Sequence, residues 1–326
     1  MRDAILPRVG ENCWIITDGK IGDQIPPRGV AEAMGLSVEL KTVAPRKIFA
    51  TLAPFGPSDP RDRARIVRPP FPRIAFAAGR RAVPVLRALK CASPDTFTVF
   101  FGNPRTRRSG ADLGWAPAHD GVLGDDVIVT DIAPHTRSAA VLAEARETPD
   151  PRVATLPAPR ATILIGGPSR HHSFGQGDID AVVAALRDMR AQNFSLAVTT
   201  SRRTPSALVA RLNETFASDA QTFLWSGEGE NPYPTMLALA DAILVTADST
   251  NMVGEALASG APVHVFSPVG GGRRHDVFLD RLLTRNLIRR WNGHLSKERQ
   301  TPFDPTPDTA AAVAARFAAF QQARRR

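Results

Sequence analysis

The chain has 326 residues, enough for two domains of ordinary size, and 43% of them are hydrophobic. Because Lys and Arg outnumber Asp and Glu by 41 to 32, the formal net charge is +9, which favours anionic partners. No apolar run reaches about 18 residues and only two cysteines occur, which excludes a transmembrane helix and a disulfide framework. The first residues lack the layout of a secretory signal, so we expect a cytoplasmic protein.

The basic residues are dispersed in short pairs along the chain, which has a single tyrosine. The sequence has no RNP, KH or helix-turn-helix signature and no interleaving of aromatic and basic residues. We therefore do not expect a nucleic-acid partner. The anionic partners that stay open are phosphorylated small molecules, a lipid-linked acceptor and an acidic membrane surface, with the protein peripheral at the inner face of the membrane.

In the first half, short apolar runs alternate with helical patterns, which is typical of an α/β protein. A polar, glycine-containing loop over residues 18–24 follows the first strand, and the proline-rich, charged residues 53–72 are predicted to form a surface loop. The predicted strands are 13–17, 38–43, 73–78, 96–101 and one or two short runs within 121–129, and the predicted helices are 28–34 and 82–89.

Residues 148–160 are the best candidate for a linker, because they carry four prolines in 13 residues and no helical period. After them the α/β pattern restarts. The predicted strands are 161–165, 196–200, 222–225, 242–245 and 263–266, and the predicted helices are 179–192, 207–216, 233–239, 277–285 and 309–325.

Two successive α/β halves predict two Rossmann-like domains that face each other across a cleft. We expect an N-terminal domain over residues 1–150 and a C-terminal domain over 151–290. The remaining residues, 291–326, are predicted to form a tail and an alanine-rich helix that packs back across the domains.

The most informative stretch is 241–266, which has the pattern of a strand, a polar turn, a short helix and a second strand. Asp248, Ser249 and Thr250 are N-cap residues by type, and Gly260 ends the helix. In a doubly wound sheet, ligands bind outside the carboxyl ends of the strands, and a helix start offers backbone N–H groups to a phosphate. The stretch therefore predicts a pocket for a nucleotide or a nucleotide sugar.

Three loops of the second half follow strands and are expected to meet at one edge of the sheet. They combine backbone donors, hydroxyls and guanidinium groups, which suit a diphosphate. Glu255 lies about one turn into the helix, where we expect it on the polar face, bound to a ribose diol; a plain exposed glutamate is the alternative. The candidate phosphate-binding residues are Gly167, Ser169, Arg170, Ser201, Arg202, Ser249, Thr250 and Asn251, with Arg203, His171 and His172 nearby.

The loop after the first strand offers the candidate catalytic groups. A general base must be a carboxylate or an imidazole within reach of an acceptor hydroxyl, and Asp18 and Asp23 meet that description. Asp131 and His135 are further candidates, and a turn-forming aspartate is the alternative for each carboxylate. The adjacent His171 and His172 lack a third ligand at a suitable spacing, so we expect no metal site.

In these motifs the chain resembles a family of mitochondrial-fission proteins, named for the elongated mitochondria of plants, which also has many bacterial members. The matching segments run through most of the chain in order: TDGKIGDQ, AAGRRAVP, GNPR, IGGPSRHHSF, TTSRRTP and ADSTNMVGEALASGAPVHVF. The family is similar to GT-B glycosyltransferases. The resemblance implies a C-terminal domain that holds a nucleotide sugar and an N-terminal domain that holds the acceptor.

By the same resemblance, Ser201, Arg202, Ser249, Thr250 and Glu255 contact the donor, and residues 18–24 serve the acceptor side. Donor binding in GT-B enzymes needs no metal, so no cofactor is implied beyond the nucleoside-diphosphate sugar itself. Three functions stay open: a GT-B-like glycosyltransferase, a non-catalytic adaptor that kept the sugar-nucleotide fold, and an epimerase acting on a nucleotide sugar. The plant member is understood as an adaptor for a dynamin-like protein, and fold alone does not decide between these functions.

Overall fold

The computed structural model describes residues 7–169, 171–225 and 227–325. The described residues up to Thr136 and from Pro305 onward form one compact unit, and Arg137–Asp304 form the other. We call them the first unit and the second unit.

The first unit is built on a six-stranded, all-parallel sheet with the order β2-β1-β3-β4-β5-β6. Its helices lie on both faces of the sheet, as expected for parallel strands that read as continuous apolar runs. The strands are β1 (Asn12–Thr17), β2 (Ser37–Thr42), β3 (Ile74–Ala78), β4 (Phe97–Phe101), β5 (Leu113–Pro117) and β6 (Val127–Thr130), and the helices are α1 (Ile21–Ala33), α2 (Lys47–Leu52), α3 (Pro60–Ile66), α4 (Val83–Ala92) and the C-terminal helix (Thr306–Ala323).

The second unit also has a six-stranded parallel sheet, with the order β12-β11-β10-β7-β8-β9. The strands are β7 (Arg160–Ile165), β8 (Ser195–Thr200), β9 (Thr222–Trp225), β10 (Ala242–Thr246), β11 (Val263–Phe266) and β12 (Arg289–Arg290), and the helices are α5 (Ala139–Glu147), α6 (Pro151–Ala154), α7 (Gln176–Ala191), α8 (Ser206–Phe216), α9 (Tyr233–Ala238), α10 (Thr250–Leu257) and α11 (Arg273–Thr284).

The two units divide the chain at other points than the predicted boundaries at 150/151 and 290/291. Helix α5 packs against α9 and so belongs to the second unit, although it precedes the predicted linker. The C-terminal helix packs against α1, and its Phe317 lies in the core of the first unit. Within the predicted linker the structure has one turn of helix, α6, whose start is capped by the Asp150 side chain.

Two predictions for the first half are wrong. Residues 18–24 are not a loop throughout, because α1 begins at Ile21 and continues through Pro26 and Pro27. Residues 53–72 contain α3, which starts with Asp59 as N-cap and Pro60 as first helical residue, a combination that favours a helix start. None of the helices that the structure describes is both long and apolar enough to cross a membrane.

Candidate functional site

The carboxyl ends of β7, β8 and β10 lie side by side, and a network around Asp248 ties together the loops that follow them. The Asp248 side chain is completely buried. Its Oδ2 accepts the Gly167 N–H at 2.9 Å and lies 3.0 Å from Nη2 of Arg203, while its Oδ1 accepts the Thr246 hydroxyl at 2.7 Å. The predicted convergence of the three loops is therefore present within the second unit, and we call these loops the second-unit site.

The loops approach each other closely at Gly166 and Gly167. A Cβ at Gly166 would lie 2.2 Å from Oδ2 of Asp248, and a Cβ at Gly167 would lie 2.2 Å from the carbonyl oxygen of Arg203. Any larger residue would push the loops apart, because such short separations are far inside van der Waals contact.

The two arginines of the middle loop have different roles. Arg203 donates from Nη1 to the carbonyl oxygens of Gly167 and Pro168, at 3.0 and 2.9 Å, so its charge is used within the loops. Arg202 is exposed and makes no hydrogen bond or ion pair to another described residue. Of the pair, Arg202 is the cation that a ligand can recruit.

The start of α10 supplies backbone donors. The Ser249 hydroxyl caps the helix by accepting the Met252 N–H at 3.4 Å. The half-buried Thr250 and Asn251 form the first turn, where amide groups have no acceptor within the helix. An anion placed there would meet both N–H groups and the positive end of the helix dipole.

Glu255 does not lie on the polar face of α10, and the prediction for its position is wrong. The residue is only 6% exposed, and its Oε2 accepts the Tyr233 hydroxyl at 2.8 Å. Burial raises the pKa of the Glu255 carboxyl, against the opposing effects of the Tyr233 hydrogen bond and the Arg137 charge. The helix buries all five residues from Val253 to Leu257, so no polar face is left at this turn.

A cavity of about 380 Å³ adjoins the second-unit site, lined in part by the loop before α11. The rings of His172 and His275 meet there edge to face, with centroids 4.5 Å apart. Burial lowers the pKa of both imidazoles, which favours their neutral forms. Nε2 of His275 is buried and has no hydrogen-bond partner among the described residues, and His275 is one of the residues that line the cavity.

The sequence analysis singled out His172 but missed His275, which lies about 100 positions later in the first turn of α11. Ser169 accepts the N–H groups of His171 and His172, and its hydroxyl lies 3.2 Å from Nδ1 of His172. Ser201 accepts the Arg203 N–H at 3.2 Å. The predicted site residue Arg170 lies outside the described residues. In the described part of the chain, no group of three His, Cys, Asp or Glu side chains is placed to hold a metal ion.

In the first unit, the structure brings Asp18 and Asp23 together at Gly79. A Cβ at Gly79 would lie 2.9 Å from Oδ2 of Asp23 and 3.7 Å from Oδ1 of Asp18. Gly79 has a φ of +85°, which glycine adopts readily, and its lack of a side chain leaves room for the Asp23 carboxylate. We call this pair the first-unit site.

The two carboxylates of the first-unit site are not equivalent. Oδ2 of Asp18 pairs with the Lys20 ammonium at 2.9 Å, whereas its Oδ1 is buried without a hydrogen-bond partner among the described residues. Burial and the neighbouring Asp18 charge raise the pKa of Asp23, with Lys20 acting against them. A buried acceptor beside a carboxyl that holds its proton more tightly than usual is a setting for proton transfer.

The other base candidates of the first half lie elsewhere. His135 is buried, and its backbone N–H donates to the Thr306 hydroxyl at 2.9 Å, which ties the residue to the C-terminal helix. Asp131 follows β6 and is half-buried.

Three solved structures illustrate the architecture that this chain shares with known proteins. A UDP-GlcNAc 2-epimerase from Neisseria meningitidis, bound to UDP-GlcNAc, matches with a TM-score of 0.53 and 12% identity, covering 94% of this chain and 100% of that one. MurG from Acinetobacter baumannii matches with a TM-score of 0.52 and 12% identity, covering 95% and 96%. The glycosyltransferase SnogD from Streptomyces nogalater matches at 0.50 and 16%, covering 95% and 96%. These likenesses confirm the fold class: two Rossmann-like α/β domains of the GT-B type.

Residues 22–317 match the family model described as mitochondrial fission ELM1, and the chain belongs to this family. It is 26% identical over 266 residues to the mitochondrial fission protein ELM1 of Arabidopsis thaliana, covering 74% of this chain and 62% of that protein. It is 30% identical over 151 residues to the uncharacterized protein RP120 of Rickettsia prowazekii (strain Madrid E), covering 44% and 42%. The chain thus aligns with less than two thirds of either relative's length.

Proposed function

We propose that the protein is a glycosyltransferase that binds a nucleoside-diphosphate sugar at the second-unit site and needs no metal for donor binding. The amide groups at the start of α10 and the exposed Arg202 would hold the diphosphate. The neutral imidazole of His275 offers a hydrogen-bonding group in the adjoining cavity. The same donors would stabilise the negative charge on the departing nucleotide.

The observation that carries the proposal is the Asp18–Asp23 pair. An acceptor hydroxyl would approach the half-buried Asp23, beside the buried Asp18 whose Oδ1 lacks a partner among the described residues. The proton would pass to a carboxylate of this pair as the hydroxyl oxygen attacks the sugar carbon and the bond to the nucleotide breaks. The raised pKa of Asp23 suits that group to receiving the proton.

The alternative is a non-catalytic adaptor that kept the sugar-nucleotide fold. Membership of a family named for mitochondrial fission favours it. So does Glu255, because its Oε2 is already engaged by Tyr233 instead of facing a ribose.

A binding experiment with a turnover measurement separates these functions. The full chain is titrated calorimetrically with nucleoside diphosphates and with their sugars, including UDP and UDP-GlcNAc. We expect one nucleotide to bind, with weaker binding in Arg202→Ala and unchanged binding in Arg211→Ala, an exposed arginine on α8. Absence of binding at millimolar concentrations would overturn the transferase and leave the adaptor.

Catalysis is tested by release of the nucleotide from the bound sugar donor, with water as the acceptor. Asp23→Asn should bind the donor as the unchanged protein does, yet release the nucleotide at least about 100-fold more slowly, the usual contribution of a general base. Equal release rates would remove Asp23 from the mechanism. Conversion of the donor sugar to its epimer, without net release, would show an epimerase.

A further inference from the structure

The segment from Arg46 to Asp59 contains α2 and the turn after it, and hydrogen bonds join its two ends. We call this segment the clamped loop. The Arg46 guanidinium donates to both carboxylate oxygens of Asp59, from Nε at 2.9 Å and from Nη2 at 3.0 Å. The backbone N–H of Arg46 donates to the same carboxylate at 2.9 Å. These hydrogen bonds hold the pKa of Asp59 well below its usual range, so the clamp stays ionised.

The clamped loop presents an apolar stripe to solvent. Ile48, Leu52 and Phe55 are 66%, 48% and 69% exposed, although each is a large hydrophobic residue. Ile48 and Leu52, four residues apart, lie on one face of α2, and Phe55 follows in the turn after the helix. On the other side, Ala50 and Ala53 are buried against the unit.

Two arginines of the first unit hold the clamped loop through hydrogen bonds to its backbone. Arg80 donates to the carbonyl oxygen of Ala50 at 3.2 Å, and Arg87 donates to those of Pro54 and Phe55. The last carbonyls of α2 and of its turn are thereby satisfied inside the first unit. The apolar stripe is held outward by this anchoring and cannot fold inward without breaking it.

The segment that carries the stripe, together with α3 and the residues just after it, has an excess of basic side chains. Between residues 44 and 72 the acids are Asp59 and Asp62, and both are buried and bonded, Asp59 to Arg46 and Asp62 to Arg65. The remaining basic side chains are exposed and make no ion pair with any residue in the described part of the chain: Lys47, Arg61, Arg63 and Arg68.

We propose that this clamped loop docks onto a membrane surface that carries anionic lipids. Apolar side chains that protrude from a positive surface suit the boundary between headgroups and acyl chains, while the basic residues attract the lipid phosphates. A second copy of the chain fits poorly, because a two-fold contact would set the like charges against each other. Three side chains also bury far less than the roughly 1,200 Å² of a stable interface. The proposal goes beyond the proposed transferase and does not depend on it.

Vesicle co-sedimentation of the full chain tests the proposal at low and at high salt. We expect binding to phosphatidylcholine vesicles that contain phosphatidylglycerol, weak binding to phosphatidylcholine alone, and release at high salt, since salt screens exposed charges. The double variant Ile48→Ser/Phe55→Ser should lose at least about tenfold in partitioning, because two large side chains no longer leave water. Leu123→Ser, at an 87% exposed leucine in the same unit, should bind like the unchanged protein.

Three outcomes would contradict docking of the clamped loop on a membrane. Sedimentation of the unchanged protein with neither kind of vesicle, or equal loss in Leu123→Ser, would overturn the proposal. Concentration-dependent dimers that disappear in Ile48→Ser/Phe55→Ser would assign the stripe to a second copy instead. Because the substituted side chains are exposed, thermal unfolding of both variants should match that of the unchanged protein, which separates loss of docking from loss of fold.

Discussion

Asp248 shows how a single buried carboxylate organises the second-unit site without facing solvent. It accepts a backbone N–H and a guanidinium from two other loops and a hydroxyl from the last residue of β10. A buried charge of this kind is tolerated only where donors surround it. Its role is therefore to position the loops that carry the ligand-binding groups.

Replacing Asp248 by Asn should destabilise the fold by about 2–3 kcal/mol, because the neutral amide no longer carries the charge opposite Arg203 and its NH2 group cannot accept the Thr246 hydroxyl. The measurement is urea unfolding, read as a lower midpoint at an unchanged slope. Asp280→Asn is the matched control: Asp280 is an exposed carboxylate 3.5 Å from Arg290, and its loss should change stability by no more than about 0.5 kcal/mol. Equal effects of the two substitutions would contradict the role given to Asp248.

His264 should make the stability of the second unit depend on pH. Burial and the Arg289 charge lower the pKa of His264 to about 4, against about 6.5 in an unfolded chain. The unfolded state therefore binds the proton first as pH falls. The stabilisation is complete above about pH 6.5 and is lost between there and about pH 4, by about 2 kcal/mol once solvent screening is allowed for.

The variant His264→Gln should flatten this loss, since an amide oxygen can still accept the Ser296 N–H that Nε2 of His264 accepts at 3.1 Å. Urea midpoints measured from pH 7 to pH 4 are the test. Some dependence of the urea midpoint on pH should persist in this variant, because the pKa values of His172 and His275 are lowered as well. His294→Gln, at an exposed histidine, is the control and should show the same dependence of the urea midpoint on pH as the unchanged protein. If both substitutions reduced that dependence equally, His264 would not be its cause.

At the scale of elements, α1 depends on close approach at Gly29. A Cβ at this position would lie 2.5 Å from the backbone oxygen of His135. That backbone is fixed in turn by its hydrogen bond to Thr306, so it cannot easily withdraw. The contact joins α1, the segment after β6 and the start of the C-terminal helix.

Gly29→Ala should therefore destabilise the first unit by about 2–3 kcal/mol through overpacking. Gly177→Ala in α7 is the opposite case, because nothing lies within 4 Å of a Cβ there, and it should stabilise by about 0.5 kcal/mol through helix propensity. Thermal unfolding of both variants checks the sign as well as the size. Two destabilising results of similar size would mean that helix glycines matter here for a reason other than contact.

The sequence predicted several strands of the second unit closely, from short runs rich in apolar residues. The bounds of β9 and β11 agree with the prediction to the residue, and β10 runs one residue further. Strand β5 was missed, because Leu113–Pro117 contains a glycine and a proline and has no apolar run of its own. Its identity as a strand comes from pairing with β4 and β6, which a local pattern cannot show.

The candidate sites were predictable only in part, for a related reason. The order of the strands in a doubly wound sheet implies that the loops holding Gly167, Arg203 and Asp248 meet. It does not reveal which side chains form hydrogen bonds within the site, as Arg203 does, or which are buried, as Glu255 is. The partner that buries Glu255 is Tyr233, 22 positions earlier, and only the packed structure brings the two together.

At the scale of the whole molecule, the first unit is completed by the end of the chain. Ala310, Val313 and Phe317 of the C-terminal helix are each at most 5% exposed and lie in the core beside β1 and β4. The rings of Phe97 and Phe317 meet edge to face, with centroids 5.8 Å apart. Without this helix, one face of the first sheet would expose its apolar residues to water.

A fragment of residues 1–136 should therefore fail to fold cooperatively, whereas residues 137–304, which are continuous in sequence, should fold alone. The chain leaves the first unit and returns to it at nearly the same place, since the His135 N–H donates to the Thr306 hydroxyl at 2.9 Å. Joining Thr136 to Pro305 through a short Gly/Ser linker should then restore cooperative folding to the first unit, because closing a short flexible loop costs little entropy. Urea unfolding followed by near-ultraviolet circular dichroism distinguishes the three proteins. If residues 1–136 alone proved as stable as the spliced protein, the C-terminal helix would be an addition to the first unit and not part of its core.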